Sequence, residues 1–132
     1  MRAYFINNMY LSSIQNGIQA AHVVHELFRK YQKQDALQYA LHDWADNHKT
    51  MIVLNGGMTE HMLDFLELVQ DSGLPFALFN EPGIGNALTS IGVIVPEKMY
   101  RHDELLEIIE DKELSEEEKR FVIAMKQFSL AK

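Results

Sequence analysis

Apolar positions along the chain switch between two spacings. Arg2 to Asn7 (Arg-Ala-Tyr-Phe-Ile-Asn) is a short apolar run that predicts a buried strand. Ser12 and Ser13 follow in a polar loop. From Ile18 to Tyr31, apolar side chains recur at Ala20, Ala21, Val24, Leu27, Phe28 and Tyr31, the spacing of a helix with one face on a core. A second helix is expected from about Asp35 to Asp46, with Leu37, Ala40, Leu41 and Trp44 on one side. Thr50 to Leu54 is almost continuously apolar, as in a strand covered on both faces. Asn55-Gly56-Gly57 breaks that run, and Thr59 is placed to cap a helix carrying Met62, Phe65, Leu66 and Val69. Ser72-Gly73 ends it. Phe76 to Phe79 and Ser90 to Val95 read as two further strands, the last closed by Pro96.

This order predicts an α/β fold, a four-stranded mixed sheet flanked by helices, over residues 2–96. The tail differs. Asp103 to Asp111 and Ser115 to Phe128 read as helices, the second opened by a capping box of Ser115 and Glu118. Its apolar stripe of Phe121, Val122, Met125 and Phe128 has two uses, packing on the domain or contacting a second copy. The expected organisation is an α/β core at 1–96 and an acidic helical extension at 97–132, packed on the same domain.

A chain of 132 residues suffices for one domain and can bury roughly two thirds of its unfolded surface. It has no cysteine, which excludes disulfides, thiolate metal sites and a thiol nucleophile. Met1 to Asn8 is too short and too polar for a signal peptide, and no apolar run approaches the ~20 residues of a membrane span. The formal charge of −7 is uneven: −4 over residues 1–96, −6 over 97–119 and +3 over 120–132. Only Arg29, Lys30 and Lys33 cluster as bases in the first half. Gripping a whole tRNA takes an extended basic surface, so that partner is not expected.

Three constellations carry candidate chemistry. His22, His25 and Glu26 share one helical face, where an imidazole can donate to an anion or shuttle a proton. As a metal site the pattern lacks a third ligand, and no metal or other cofactor is expected. Asn55-Gly56-Gly57 is a strand-to-helix turn whose amides suit an anion, although no Walker lysine follows. The loop from Glu81 to Ser90 offers a carboxylate, the Asn86 amide and the Thr89 and Ser90 hydroxyls. That set suits readout of a base, a ribose or a peptide edge. Glu81 is also a candidate general base, on the expectation that desolvation in a cleft raises its pKa. No Gly-x-Ser-x-Gly elbow is present.

Two segments together resemble a known family. Gly17-Ile18-Gln19-Ala20-Ala21-His22-Val23-Val24-His25 is similar to the Gly-Lys-x-Ala-Ala-Gln-x-x-His start of the first helix in the archaeal/eukaryotic-type peptidyl-tRNA hydrolases. Ser72 to Gly83 is similar to that family's Leu-Gly-Leu-Pro, strand, Asp-Ala-Gly segment, and Lys49 to Leu54 sits at its second strand. The resemblance covers about residues 2–96 and implies the family's fold and a homodimer. Its working residues transfer unevenly. The lysine falls on Ile18, the glutamine on His22, the histidine on His25, the aspartate on Glu81 and the first threonine on Gly85. A later threonine corresponds to Thr89 or Ser90. The stretches Gly17 to His22, Lys49 to Gly57 and Asn86 to Thr89 also resemble short phage-type proteins. The expected location is the cytoplasm, or the host cytoplasm for a phage-encoded protein.

With the lysine and the first threonine replaced, the leading expectation is a non-catalytic protein binding a nucleotide or similar small polar ligand. Gln19, His22, Glu26, Asn55, Gly56, Gly57, Glu81, Asn86, Thr89 and Ser90 would hold it. The alternative is a divergent hydrolase of peptidyl- or aminoacyl-tRNA esters using His22, His25, Glu81 and Thr89. A third reading is an adaptor whose acidic tail meets a basic partner.

Overall fold

A computed structural model describes residues 1–32 and 36–132. Five strands form one mixed sheet in the order β3-β4-β1-β2-β5. They are β1 (Arg2–Asn7), β2 (Met51–Asn55), β3 (Phe76–Glu81), β4 (Ala87–Val95) and β5 (Ser129–Leu130). β1 and β2 run parallel, and every other neighbouring pair is antiparallel. The sheet therefore has one strand more than the four expected. β5 is two residues long, too short for any periodicity to reveal, and it exists by pairing Leu130 and Ser129 with Leu54 and Asn55.

Alternation along β1 assigns the two layers. Ala3 and Phe5 face a cluster with Ala20, Val23 and Leu27 of α1 (Ser13–Lys30), Leu41 of α2 (Ala36–Asp43) and Trp44. Tyr4 and Ile6 face the other, with Met62, Phe65 and Val69 of α3 (Thr59–Ser72) and Phe121, Val122 and Met125 of α5 (Glu116–Met125). The short α4 (Leu105–Glu110) adds Ile108 to the second layer. The apolar stripe of the tail is thus spent inside the fold: Phe121, Val122 and Met125 are buried and Phe128 lies edge-on to Phe65 at 5.0 Å. Phe121, Val122 and Met125 therefore serve the intramolecular core, and Phe128 stays half-buried at its edge.

Several boundaries move for identifiable reasons. α1 starts at Ser13 rather than near Ile18, because Ser12 and Gln15 form a capping box. Asp35, the expected start of the second helix, lies outside the described residues, as does Lys33. From Ala36 the helix ends at Asp43 and passes into a π-helical turn, Trp44–His48, closed by Lys49 in the left-handed region. Met58, not Thr59, occupies the cap position of α3. The Thr59 hydroxyl instead accepts from Asn8 Nδ2 at 3.2 Å. α5 ends at Met125, short of Phe128, which frees the chain to form β5.

Two glycines let layers approach. A Cβ on Gly92 of β4 would lie 2.4 Å from Val23 Cγ1, so α1 sits directly on the strand there. A Cβ on Gly56 would lie 2.5 Å from Ile6 Cγ2, and the Gly56 amide bonds the Asn7 carbonyl at 2.7 Å. Among the described residues, no helix is long and apolar enough to cross a membrane.

Candidate functional site

At one end of the sheet, polar residues replace apolar ones on the face covered by α1. Phe79, Ser90, Asn7 and Asn55 are register partners across β3, β4, β1 and β2. The β3–β4 register slips between Phe79 and Asn80, leaving Thr89 as an extra residue in β4. Such a bulge re-aims a side chain that alternation would send to the opposite face. It turns the Thr89 hydroxyl toward α1, where Gln19 receives it.

The result is a short buried chain of hydrogen bonds. Thr89 donates to Gln19 Oε1 at 2.6 Å, with the Phe79 carbonyl as a second acceptor at 3.2 Å. Gln19 donates through Nε2 to Glu81 Oε2 at 3.0 Å. The Gly83 amide donates to Glu81 Oε1 at 3.1 Å. Gln19 and Thr89 are both buried, whereas Glu81 is half-exposed at the mouth. His22, one turn along α1 from Gln19, stacks flat on Phe79 with ring centroids 4.2 Å apart.

These contacts reverse one expectation. Gln19, the Gly83 amide and the nearby His22 hold the Glu81 carboxyl below its ordinary range, and this outweighs the desolvation that would raise it. Glu81 is an anchored, ionised acceptor rather than a carboxyl poised near neutral pH.

The sequence-predicted residues fall in three places. Gln19, His22, Glu81 and Thr89 come together. Ser90 lies fully buried beside them, its hydroxyl without a protein partner. Asn86 is exposed in the left-handed region and closes the loop through its amide to the Glu81 carbonyl at 2.9 Å. Asn55, Gly56 and Gly57 sit two strands away from β4, at the end of β2, where the Gly57 amide donates to Asn55 Oδ1 at 2.9 Å. Glu26 joins neither group. It pairs with Arg29 at 3.2 Å on the exposed side of α1. His25 is exposed on the same helix and does not join the Gln19–Glu81 chain.

Sequence reasoning missed Asn7, Asn8, Asn16 and Phe79. Asn8 ties the region together: its amide bonds the Thr89 carbonyl at 2.9 Å and its side chain reaches Thr59 Oγ1 and the Leu88 carbonyl. Asn7 Nδ2 donates to the Asn16 carbonyl at 3.1 Å and to Asn16 Oδ1 at 2.9 Å. The signal was two adjacent asparagines closing an apolar strand, since amides buried at a strand end must find partners.

A mixed sheet between two helical layers, with a polar cluster where the first helix crosses the ends of β3 and β4, defines a three-layer α/β domain. Residues 7–110 match the family model of peptidyl-tRNA hydrolase PTH2, from the end of β1 through α4. The chain belongs to that family. No curated protein matches it significantly.

Proposed function

We propose that this chain is a non-catalytic member of the family that binds a nucleotide or similar small polar ligand at Glu81, His22 and the loop through Asn86. The observation that carries this reading is the anchored Glu81 carboxylate. With one oxygen on Gln19 and the other on Gly83, it is a rigid acceptor at a strand-end mouth. Such an acceptor suits the paired hydroxyls of a ribose or the amino edge of a base, and the flat His22–Phe79 stack beside it suits a planar ring.

Three features speak against ester cleavage. A carboxylate held below its ordinary range is a weak base at neutral pH. Ile18, at the position of the family's lysine, is an apolar side chain about half exposed and offers nothing to a developing oxyanion. Gly85, at the position of the first threonine, has no side chain. A divergent hydrolase is the second reading, favoured by the family match itself and by the retained His25. The homodimer rests on the family resemblance alone, and light scattering decides it: a species at 15.2 kDa would remove it.

Calorimetric titration with ribonucleoside monophosphates and their deoxy counterparts tests the binding. The expected result is saturable binding that prefers the ribose form and that Glu81→Gln weakens roughly tenfold or more, as for a hydrogen bond to a charged group. Absence of saturable binding across the nucleotides, or affinity indifferent to Glu81→Gln, would overturn it.

A further inference from the structure

Helices α3 and α5 cover the Ile6 side of the sheet and pack on each other through Phe65 and Phe121, whose ring centroids lie 5.4 Å apart. Beside that contact, where the chain turns from α5 into β5, a cavity of about 690 Å³ opens between the helices. Phe65, Leu68, Ile123 and Phe128 are among its lining. Phe128 stands edge-on to Phe65, and Leu68, Ile123 and Phe128 are only half-buried, so the floor is apolar surface open to an occupant. The size falls within the roughly 300–1,000 Å³ of small-molecule sites. The cavity lies on the face of the sheet opposite to the Gln19–Glu81 chain.

We propose that this groove is a second binding site, for a zwitterion with an apolar side chain: an amino acid or short peptide with both ends free. Its charge is split between its two walls. Asp64 of α3 directly precedes Phe65, and Arg120 of α5 directly precedes Phe121, so the packed rings set these two side chains on facing helices. Among the described residues, no other acid and no other Lys or Arg lines the groove. Neither Asp64 nor Arg120 makes a hydrogen bond or ion pair among those residues, and their charged atoms stay more than 4.0 Å apart. Glu116, one turn before Arg120, pairs with Lys119 instead at 3.7 Å. Two opposite charges left unpaired on either side of an apolar floor complement an ammonium and a carboxylate carried on one apolar ligand. A simple anion would meet the like charge of Asp64, and a simple amine that of Arg120. Only a ligand with both ends gains at both walls.

Nuclear magnetic resonance titration of ¹⁵N-labelled protein with L-phenylalanine, and separately with the dipeptide L-leucyl-L-phenylalanine, tests the proposal. Saturable shifts of the backbone amides of Phe65, Leu68, Ile123 and Phe128 are expected with at least one probe, and the tighter of the two gives the size of the ligand. N-acetyl-L-phenylalanine lacks the ammonium and L-phenylalanine amide lacks the carboxylate, so each should bind roughly three- to tenfold more weakly than phenylalanine. The variants must match the probes. Asp64→Asn should weaken phenylalanine by a similar factor without weakening the N-acetyl form. Arg120→Gln should weaken phenylalanine without weakening the amide. Both side chains are exposed, so neither substitution disturbs the core. Linear, non-saturating shifts with both zwitterions overturn the proposal. So do capped probes that bind as tightly as phenylalanine, or variants that weaken every probe alike.

Discussion

Thr89 shows how one residue sets the character of the site. Its hydroxyl is the donor that satisfies Gln19 Oε1, and Gln19 in turn fixes Glu81. Thr89→Val keeps the shape and removes the donor, leaving a buried amide oxygen unpaired. The expected loss is about 1–3 kcal/mol in urea denaturation, with a fall in ligand affinity because Gln19 no longer holds one rotamer. Glu81 makes a pH prediction of definite sign. Its folded-state pKa lies below the unfolded value, so its contribution is present at neutral pH. That contribution fades only on acidification, through the unfolded value and down through the folded one. Stability curves for wild type and Glu81→Gln should therefore converge in acid and separate toward neutrality. Separation that grows in acid would contradict the assignment. None of this was legible in the sequence, where Glu81 reads as a loop carboxylate in a cleft. Its two donors come from a helix 62 positions away and from a turn amide, and neither contact leaves a spacing signal.

At the scale of elements, the four longer strands were legible because β1 and β4 are buried and largely apolar along most of their length and β2 is a continuous apolar run up to Asn55. Helix α1 was legible by its stripe but not by its start. The start is set by the capping box of Ser12 and Gln15, and apolar spacing does not mark it, since Ile14 and Ile18 face outward. The bulge at Thr89 and the strand β5 were illegible for a physical reason. Both depend on what lies across the sheet rather than on local periodicity. The contact of α1 with β4 offers a direct test. Gly92→Ala would place a methyl 2.4 Å from Val23 Cγ1 and 3.2 Å from the Phe5 ring. The helix must lift, at about 1–3 kcal/mol for overpacking. Because the lift separates Gln19 from Thr89, ligand affinity should fall along with the melting temperature. Retained affinity in a destabilised Gly92→Ala protein would show that the site does not depend on how α1 seats.

For the molecule as a whole, the tail is structural. Phe121, Val122 and Met125 complete the core beside Ile6 and Phe65, so Phe121→Ala should cost about 3–5 kcal/mol in chemical denaturation. A loss near zero would mean that the tail is an appendage. Charge follows the same division. The acids of residues 97–119 are partly neutralised within the tail, where Arg101 bridges Asp111 at 2.7 Å and Glu113 at 3.2 Å. His102 also reaches Asp111, at 2.8 Å. Arg29 and Lys30 lie at the far end of α1, three turns from Gln19, and Lys30 is engaged with the Phe76 carbonyl at 2.9 Å. They do not form a basic surface around the site. The fold is that of the family, and the proposed loss of ester cleavage rests on Ile18 and Gly85 at the positions where the resemblance puts the family's lysine and first threonine. Incubation of purified protein with labelled peptidyl-tRNA tests that loss most directly. The predicted result is no release of peptide above the rate in buffer. Multiple turnovers at catalytic amounts of protein, abolished by Glu81→Ala or His25→Ala, would contradict it and make this chain a working hydrolase.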